Sequence, residues 1–426
     1  MLRLNRHRQT ISFTLLELLI VIGILGIFGV ISVLVLNPTE LFNQARDANR
    51  ISEIININKA VKIYQTLGGT VQETPNIVYI SLPDTSPTCA NLTLPPLPAG
   101  WQYQCKTSSN YRRMDGNGWI PVNFTSISSG SPFSTLPIDP INSATDNLYY
   151  AYVNGGGVIE GWVLTSLLQS DKYLQKNGSA DKGMDPARFE VGNSELWAQA
   201  IGLVGYWPFD EGSGVTSADA SPYNNEATFL GGTSWNDGKV NKGASFDGVS
   251  GRILLGGDDT FKSLTQGSVY GWFWLDDLVP AARYIFETGP KTANSFGLFF
   301  WIDVEQDGHI EIRHRNTDGT FDNIVAFTSA GSVSAGKWYQ YVWTVDATIG
   351  NAFYLNGERQ NITYGGGSPS TNVYFDDIQT TENYFLGVRK YRGILDYYHK
   401  GIMDEMRLYN RALGASEIKA MYNAEK

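Results

Sequence analysis

Residues 18–36, LLIVIGILGIFGVISVLVL, form an apolar run without a single charge. As a helix it is about long enough to cross a bilayer. The pattern then changes. Leu41, Ala45, Ala48, Ile51, Ile55, Val61 and Tyr64 recur at mostly helical spacing, with Arg46, Asp47, Arg50, Glu53, Lys59 and Lys62 between them. That spacing predicts an amphipathic continuation of the helix, ended by Gly68-Gly69. One helix over residues 13–67 would span about 80 Å. Pro38 is expected either to kink it or to open a second helical segment.

Beyond the helix, short apolar runs at 76–82 and 148–153 are separated by stretches rich in Pro, Gly, Ser and Asn. They predict a small sheet with long loops over residues 68–190. Residues 191–202 read as a short connection. From Leu203 onward, aromatic and apolar residues alternate in runs at 268–275, 296–304, 309–314, 338–345 and 352–355, and Asn356-Gly357 is a hairpin-turn signal. An antiparallel sandwich over residues 203–426 follows. The expected fold class is α+β, a long N-terminal helix with a small β head followed by an all-β sandwich.

Charge and composition narrow the function classes. The net charge is -10, and the acidic excess lies beyond the helix. A nucleic-acid partner needs a basic stripe and is therefore not expected; neutral glycans or calcium suit an acidic surface. The two cysteines, Cys89 and Cys105, read as a disulfide in an oxidising compartment. The four histidines, at 7, 309, 314 and 399, are scattered, and no zinc, phosphate-loop or nucleophile-elbow motif occurs.

The N-terminus adds a specific signal. Arg3, Arg6 and Arg8 precede the apolar run, and Ser12-Phe13-Thr14-Leu15-Leu16-Glu17 leads into it. An uncleaved signal anchor accounts for the arginines, which hold the N-terminus in the cytoplasm, but not for a carboxylate at the edge of lipid. No small-residue cleavage site follows the run, as a secretory signal peptide requires. The segment resembles the leader and first helix of type IV prepilins and pseudopilins. The resemblance implies that residues 1–12 are a leader and that a prepilin peptidase cuts between Ser12 and Phe13 and methylates the new amine. It also implies that Glu17 pairs with the Phe13 amine of a neighbouring pilin subunit. Two features depart from the family's pattern: Ser12 stands where Gly is usual, and Pro38 lies past the apolar run rather than within it. Trp119-Ile120-Pro121-Val122-Asn123, Pro137-Ile138-Asp139-Pro140 and Tyr149-Tyr150-Ala151-Tyr152 are similar to the region after the long helix in major pseudopilins. There Asp139, Asp146 and Asn147 offer calcium oxygens or, alternatively, ordinary turn chemistry.

In the C-terminal part, residues 205–214 (GYWPFDEGSG), 243–248 (GASFDG), 338–346 (WYQYVWTVD), 353–357 (FYLNG) and 401–413 (GIMDEMRLYNRAL) follow in order, and a short helix closes the chain. Order and spacing resemble laminin-G-like domains of the concanavalin A-like lectin/glucanase superfamily. The resemblance implies a two-sheet jelly roll whose first and last strands pair, and binding more often than catalysis. It also suggests a structural calcium at Asp210, Asp219, Asn224 and Asp404, with hydrogen bonding to loops as the plain alternative. Asp303, Glu305 and Asp307 share one face if the strand continues, as the paired carboxyls of a glycosidase would require. Asp307-Gly308 is a turn signal, however, and the glucanase spacing is not met, so no catalytic residues and no enzyme are expected. Tyr223, Trp235, Tyr364, Tyr391, Tyr397 and Tyr398 are the loop aromatics available as a sugar platform.

These readings combine into an adhesive minor pilin. It would reside in the cytoplasmic membrane, among lipid, before assembly and on an extracellular filament afterwards. Its partners would be other pilins, the prepilin peptidase and a glycan or surface-protein ligand. A type II secretion pseudopilin and a pilin-anchored glycoside hydrolase are the alternatives.

Overall fold

The structure, a computed structural model, describes residues 14–71, 74–128, 130–155, 161–177, 183–290, 299–315, 322–346, 348, 350–378, 382–391 and 393–426. Ser12 and Phe13, expected to flank a processing site, lie outside the described residues.

Helix α1 (Leu15–Leu36) starts with a capping box. Glu17 Oε2 accepts from the Thr14 amide and hydroxyl (2.8 and 2.9 Å), and Thr14 Oγ1 accepts from the Glu17 amide. Glu17 therefore has a local role in starting the helix. Asn37 adopts a left-handed conformation, and helix α2 (Pro38–Thr66) begins immediately after it. The single helix expected over residues 13–67 is thus two segments. Pro38 has no N–H to continue the ladder but fits the first turn of a new helix. Among the described residues no helix is long and apolar enough to cross a membrane. The side chains of residues 27–36 are not among those described, so the expected crossing finds no support in the described part of the run.

The packed face of α2 also differs from the expected stripe. Asp47, Arg50, Ile54, Ile57 and Val61 are buried, whereas Leu41 is exposed. Two charged residues lie on the inner face because they satisfy each other. Arg50 donates to Asp47 Oδ1 (2.7 Å) and, with two nitrogens, to Asp139 (2.7 and 3.1 Å). Asp47 also accepts from the Ser170 amide and hydroxyl, both at 2.7 Å. The segment around Asp139 is thereby locked onto the helix, and the Ile141 and Asn142 amides fill the remaining capacity of its carboxylate.

The head sheet contains β1 (Ile77–Pro83), β2 (Gln102–Lys106), β3 (Tyr150–Asn154), β4 (Trp162–Leu167) and β5 (Arg188–Gly192), in the order β2-β1-β3-β4-β5. Only β1 and β2 are parallel. One face packs on α2 through Tyr79, Tyr150, Tyr152 and Leu164. Cys89 and Cys105 are joined by a disulfide that ties the loop after β1 to β2. The segment expected as a connection forms the end of β5 and a short helix, Ser194–Ala200, with Leu196 and Trp197 buried.

The C-terminal part is a sandwich of one eight-stranded and one nine-stranded sheet. Its first strand, Leu203–Trp207, pairs antiparallel with its last long strand, Lys400–Tyr409, with Trp207 opposite Met406. Inward residues of both sheets, including Trp207, Phe246, Phe273, Phe286, Phe300 and Trp343, fill a continuous aromatic core. Burial of such side chains stabilises by about 1.5–3 kcal/mol each. The outer side of the eight-stranded sheet is covered by the C-terminal helix Ala415–Glu425 and by the head, which share a second core. Asn147 donates to Ser416 Oγ (2.6 Å), and Arg411 donates to the Ile201 carbonyl (2.6 Å), so head and sandwich are stitched by polar as well as apolar contacts.

Candidate ligand-binding face

With one sheet covered by the head, the outer side of the nine-stranded sheet is the remaining broad face of the sandwich. Three adjacent strands build its centre: Arg283–Pro290, Phe299–Val304 and Ile310–Arg315. Alternation decides what each offers. Phe300, Ile302 and Val304 enter the core, as do Ile310 and Ile312. Phe299, Trp301 and Asp303 therefore point outward, as do Glu311, Arg313 and Arg315. The register sets Asp303 opposite both Glu311 and Tyr284, Trp301 opposite Arg313, and Phe299 opposite Arg315.

Aromatic rings line this face. Phe299 and Trp301 stack at 3.6 Å, and Tyr284 meets Trp301 edge-on. A small hairpin, Arg389–Tyr391 paired with Ile394–Asp396, folds over them. Arg389 is held by both oxygens of Asp396 (2.7 Å each) and lies 4.1 Å from the ring of Tyr397. Tyr397 is 40% exposed and lies beside Tyr284. A ring supported from below by a cation and a second ring, with its outer side free, is suited to pack against a flat apolar surface such as a sugar face.

The charged floor is unusual. Asp303 is only 1% exposed, and neither of its carboxylate oxygens has a hydrogen-bond partner among the described residues. Burial, then the nearby Glu311 and Glu305, push its pKa well above the usual carboxylate range. Burial first and Asp303 second likewise raise the Tyr284 phenol. Among the described residues, oxygens of Asp303, Glu305 and Glu311 gather within 4.8 Å of one another. Arg313 pairs with Glu311 (2.6 Å) and is shared with Asp322.

In the sequence, Asp303 and Glu305 alternate with Asp307, as one strand face would require. The strand stops at Val304, and residues 305–309 form the turn, so Asp307 instead caps His309. Gly308 makes this turn possible: its φ is +78°, and a Cβ there would meet the Val333 carbonyl oxygen at 2.2 Å. The third carboxylate, Glu311, comes from the next strand, and only the hairpin register reveals it.

The three carboxylates named for calcium accept hydrogen bonds from loop groups. Asp404 is buried and accepts from the Lys239 and Val240 amides, both at 2.8 Å, and from the Glu405 amide. Asp219 accepts from the Tyr206, Ser221 and Asn225 amides and from the Ser221 hydroxyl, each at 2.8 Å. Asp210 is exposed and accepts from Asn241 Nδ2 and the Lys242 amide (3.0 Å each). Asn224 occupies an exposed left-handed turn position. The carboxylates hold loops at the junction of first and last strands, and no three of them gather within 4.8 Å. In the head, Asp146 accepts from the Ser143 hydroxyl.

Of the loop aromatics, Trp235 packs on Phe229 (4.4 Å) and donates to the Gly214 carbonyl, and Tyr364 donates to Asn351. Tyr391 lies in the hairpin on the outer face and Tyr397 directly follows it, while Tyr223 is exposed near the strand junction. A concavity lined by Asp210, Lys239, Glu405, Arg407 and Glu425 opens where head and sandwich meet. Its buried charges pair internally: Arg407 binds both Glu405 and Glu425.

Residues 247–419 match the laminin-G family described as the concanavalin A-like lectin/glucanases superfamily. No curated protein matches the chain. Among solved structures, the chain is similar to the CBM40 of the Ruminococcus gnavus IT-sialidase bound to alpha2,3 sialyllactose. That match has 21% identity and a TM-score of 0.33, covering 37% of this chain and 83% of the other. It is also similar to domain 4 of AbnA, a GH43 extracellular arabinanase from Geobacillus stearothermophilus, in complex with arabinotriose. There the identity is 21% and the TM-score 0.38, covering 52% of this chain and 98% of the other. The binding domain of Paraclostridial mosquitocidal protein 1 matches at 16% identity and a TM-score of 0.39, covering 52% of each chain. The C-terminal part of this chain is a laminin-G-like jelly-roll domain of the concanavalin A-like type.

Proposed function

We propose that the chain is a minor subunit of a type IV pilin-like surface filament, and that its jelly-roll domain binds a carbohydrate or protein ligand through the outer face of the nine-stranded sheet. The observation that carries the binding half is the aromatic face under the Arg389–Asp396 hairpin, with Tyr397 open to solvent. The filament half draws support from the N-terminal resemblance and from α1. Leu15, Leu16, Leu18, Leu19 and Leu25 are all exposed, a continuous apolar surface that water does not favour. Helices of neighbouring pilin subunits, or lipid before assembly, would cover it. In this reading the prepilin peptidase cuts before Phe13, and the subunit passes from the cytoplasmic membrane to the surface.

Binding without catalysis is part of the proposal. Glycoside hydrolysis needs two carboxyls that flank the scissile bond, and Asp303 is sealed from solvent. A second reading, a type II secretion pseudopilin, is favoured by the Asp139 segment docked on α2 through Arg50. Loss of secretion on deletion would support it.

Screening the full-length chain on a broad glycan array tests the proposal. Binding with the glycans left intact is the expected result. Turnover of a bound glycan would replace binding by catalysis, and absence of binding to every glycan would shift the account to a protein ligand or to the secretion role.

A further inference from the structure

We propose that Asp303, Glu305 and Glu311 form a divalent-cation site of the calcium class on the outer face of the nine-stranded sheet. This fold has a consistent way of treating structural carboxylates. Asp219 and Asp404 are nearly as buried as Asp303, and each is surrounded by backbone N–H groups. Asp303 is the contrast: wholly enclosed, with neither oxygen accepting a hydrogen bond among the described residues. Two further carboxylates lie beside it, and the nearby cations Arg313 and Arg389 act on it through space, with no hydrogen bond to it among the described residues. An unpaired buried acid facing two others is a costly arrangement unless a cation joins them.

Geometry agrees with the size of the ion. Oxygens bound to calcium lie about 2.3–2.6 Å from it, so two such oxygens are at most about 5 Å apart. One oxygen from each of the three residues falls within 4.8 Å of the others. All the donors are hard oxygens, with no Cys or His in the group, which selects against zinc and copper. Arg313 neutralises part of Glu311 but is shared with Asp322, and no salt bridge links Asp303 or Glu305 to a cation among the described residues. Three carboxylates leave several calcium positions open for water or for ligand oxygens. The site is distinct from Asp210, Asp219, Asn224 and Asp404.

Calcium binding is measured on the full-length chain by thermal melting with calcium, with magnesium and with chelator, and by terbium luminescence. Trp301, two residues from Asp303 on the same face, is the sensitiser. Calcium at about a hundredfold excess over its Kd should raise the melting midpoint by several degrees, and terbium should luminesce on tryptophan excitation until calcium displaces it. Asp303→Asn and Glu311→Gln should abolish both signals, while Asp210→Asn retains them. In chelator, Asp303→Asn should melt no lower than the parent, because it removes a buried charge, and this separates loss of the site from loss of the fold. Absence of a calcium-dependent shift in the parent would overturn the proposal, as would a shift that survives Asp303→Asn or is lost in Asp210→Asn.

Discussion

Arg50 is fully buried between Asp47 and Asp139. Its replacement by Met removes the cation that joins helix α2 to the Asp139 loop and leaves two enclosed carboxylates facing each other. Breaking a buried pair in this way costs about 3–5 kcal/mol, which chemical denaturation of the Arg50→Met variant should register. His399 makes a different prediction. It is buried, with Nε2 3.2 Å from the Trp274 carbonyl oxygen and its ring edge-on to Phe246. Burial, reinforced by the nearby Arg283, pushes its pKa down from 6.5 to about 3. The folded chain therefore keeps His399 neutral where the unfolded chain takes up a proton. Stability from this residue is complete above pH 6.5 and is lost as pH falls from there towards 3. The loss approaches about 5 kcal/mol at the acid end. His399→Gln, which cannot titrate, should flatten that part of the stability–pH curve, and an unchanged slope would assign the acid sensitivity elsewhere.

Elements differ in how much of them the sequence spacing discloses. The strands of the sandwich were legible within a few residues, because alternation and turn residues act locally: the run expected at 268–275 is the strand Gly267–Leu275, and Asn356-Gly357 turns in the left-handed region. Helix α2 was legible as a helix but not as a face. Apolar spacing selects Leu41 and Ile51, whereas packing selects Asp47 and Arg50, because a partner 89 residues away makes the charges buriable. The carboxylate cluster was half legible for a similar reason: Asp303 and Glu305 are neighbours in sequence, but Glu311 joins them only through strand register. The turn between these strands rests on Gly308. Gly308→Ala places a Cβ against the Val333 carbonyl at a left-handed position and should cost about 1–3 kcal/mol. Thermal melting of that variant should show the loss, and a midpoint equal to the parent's would show that the turn relaxes.

At the scale of the whole molecule, the chain joins two units that were expected to be separated by a connection. Tyr270, Trp272, Tyr409 and Met421 of the sandwich share one core with Val78, Ala151 and Trp197 of the head. That shared core covers one sheet and leaves the other free, which is why the outer face of the nine-stranded sheet, rather than the crevice between the units, carries the binding proposal. The crevice holds charges that already satisfy one another, whereas the outer face holds an exposed ring and an unsatisfied carboxylate. The most direct test compares glycan-array binding of the full-length chain with that of Tyr397→Ala and of Tyr223→Ala, two exposed tyrosines on different parts of the domain. The account predicts that Tyr397→Ala loses binding by about fivefold to 150-fold, the equivalent of about 1–3 kcal/mol for a ring contact, while Tyr223→Ala binds as the parent does. Binding that survives Tyr397→Ala and falls with Tyr223→Ala would contradict it and place the ligand at the strand junction.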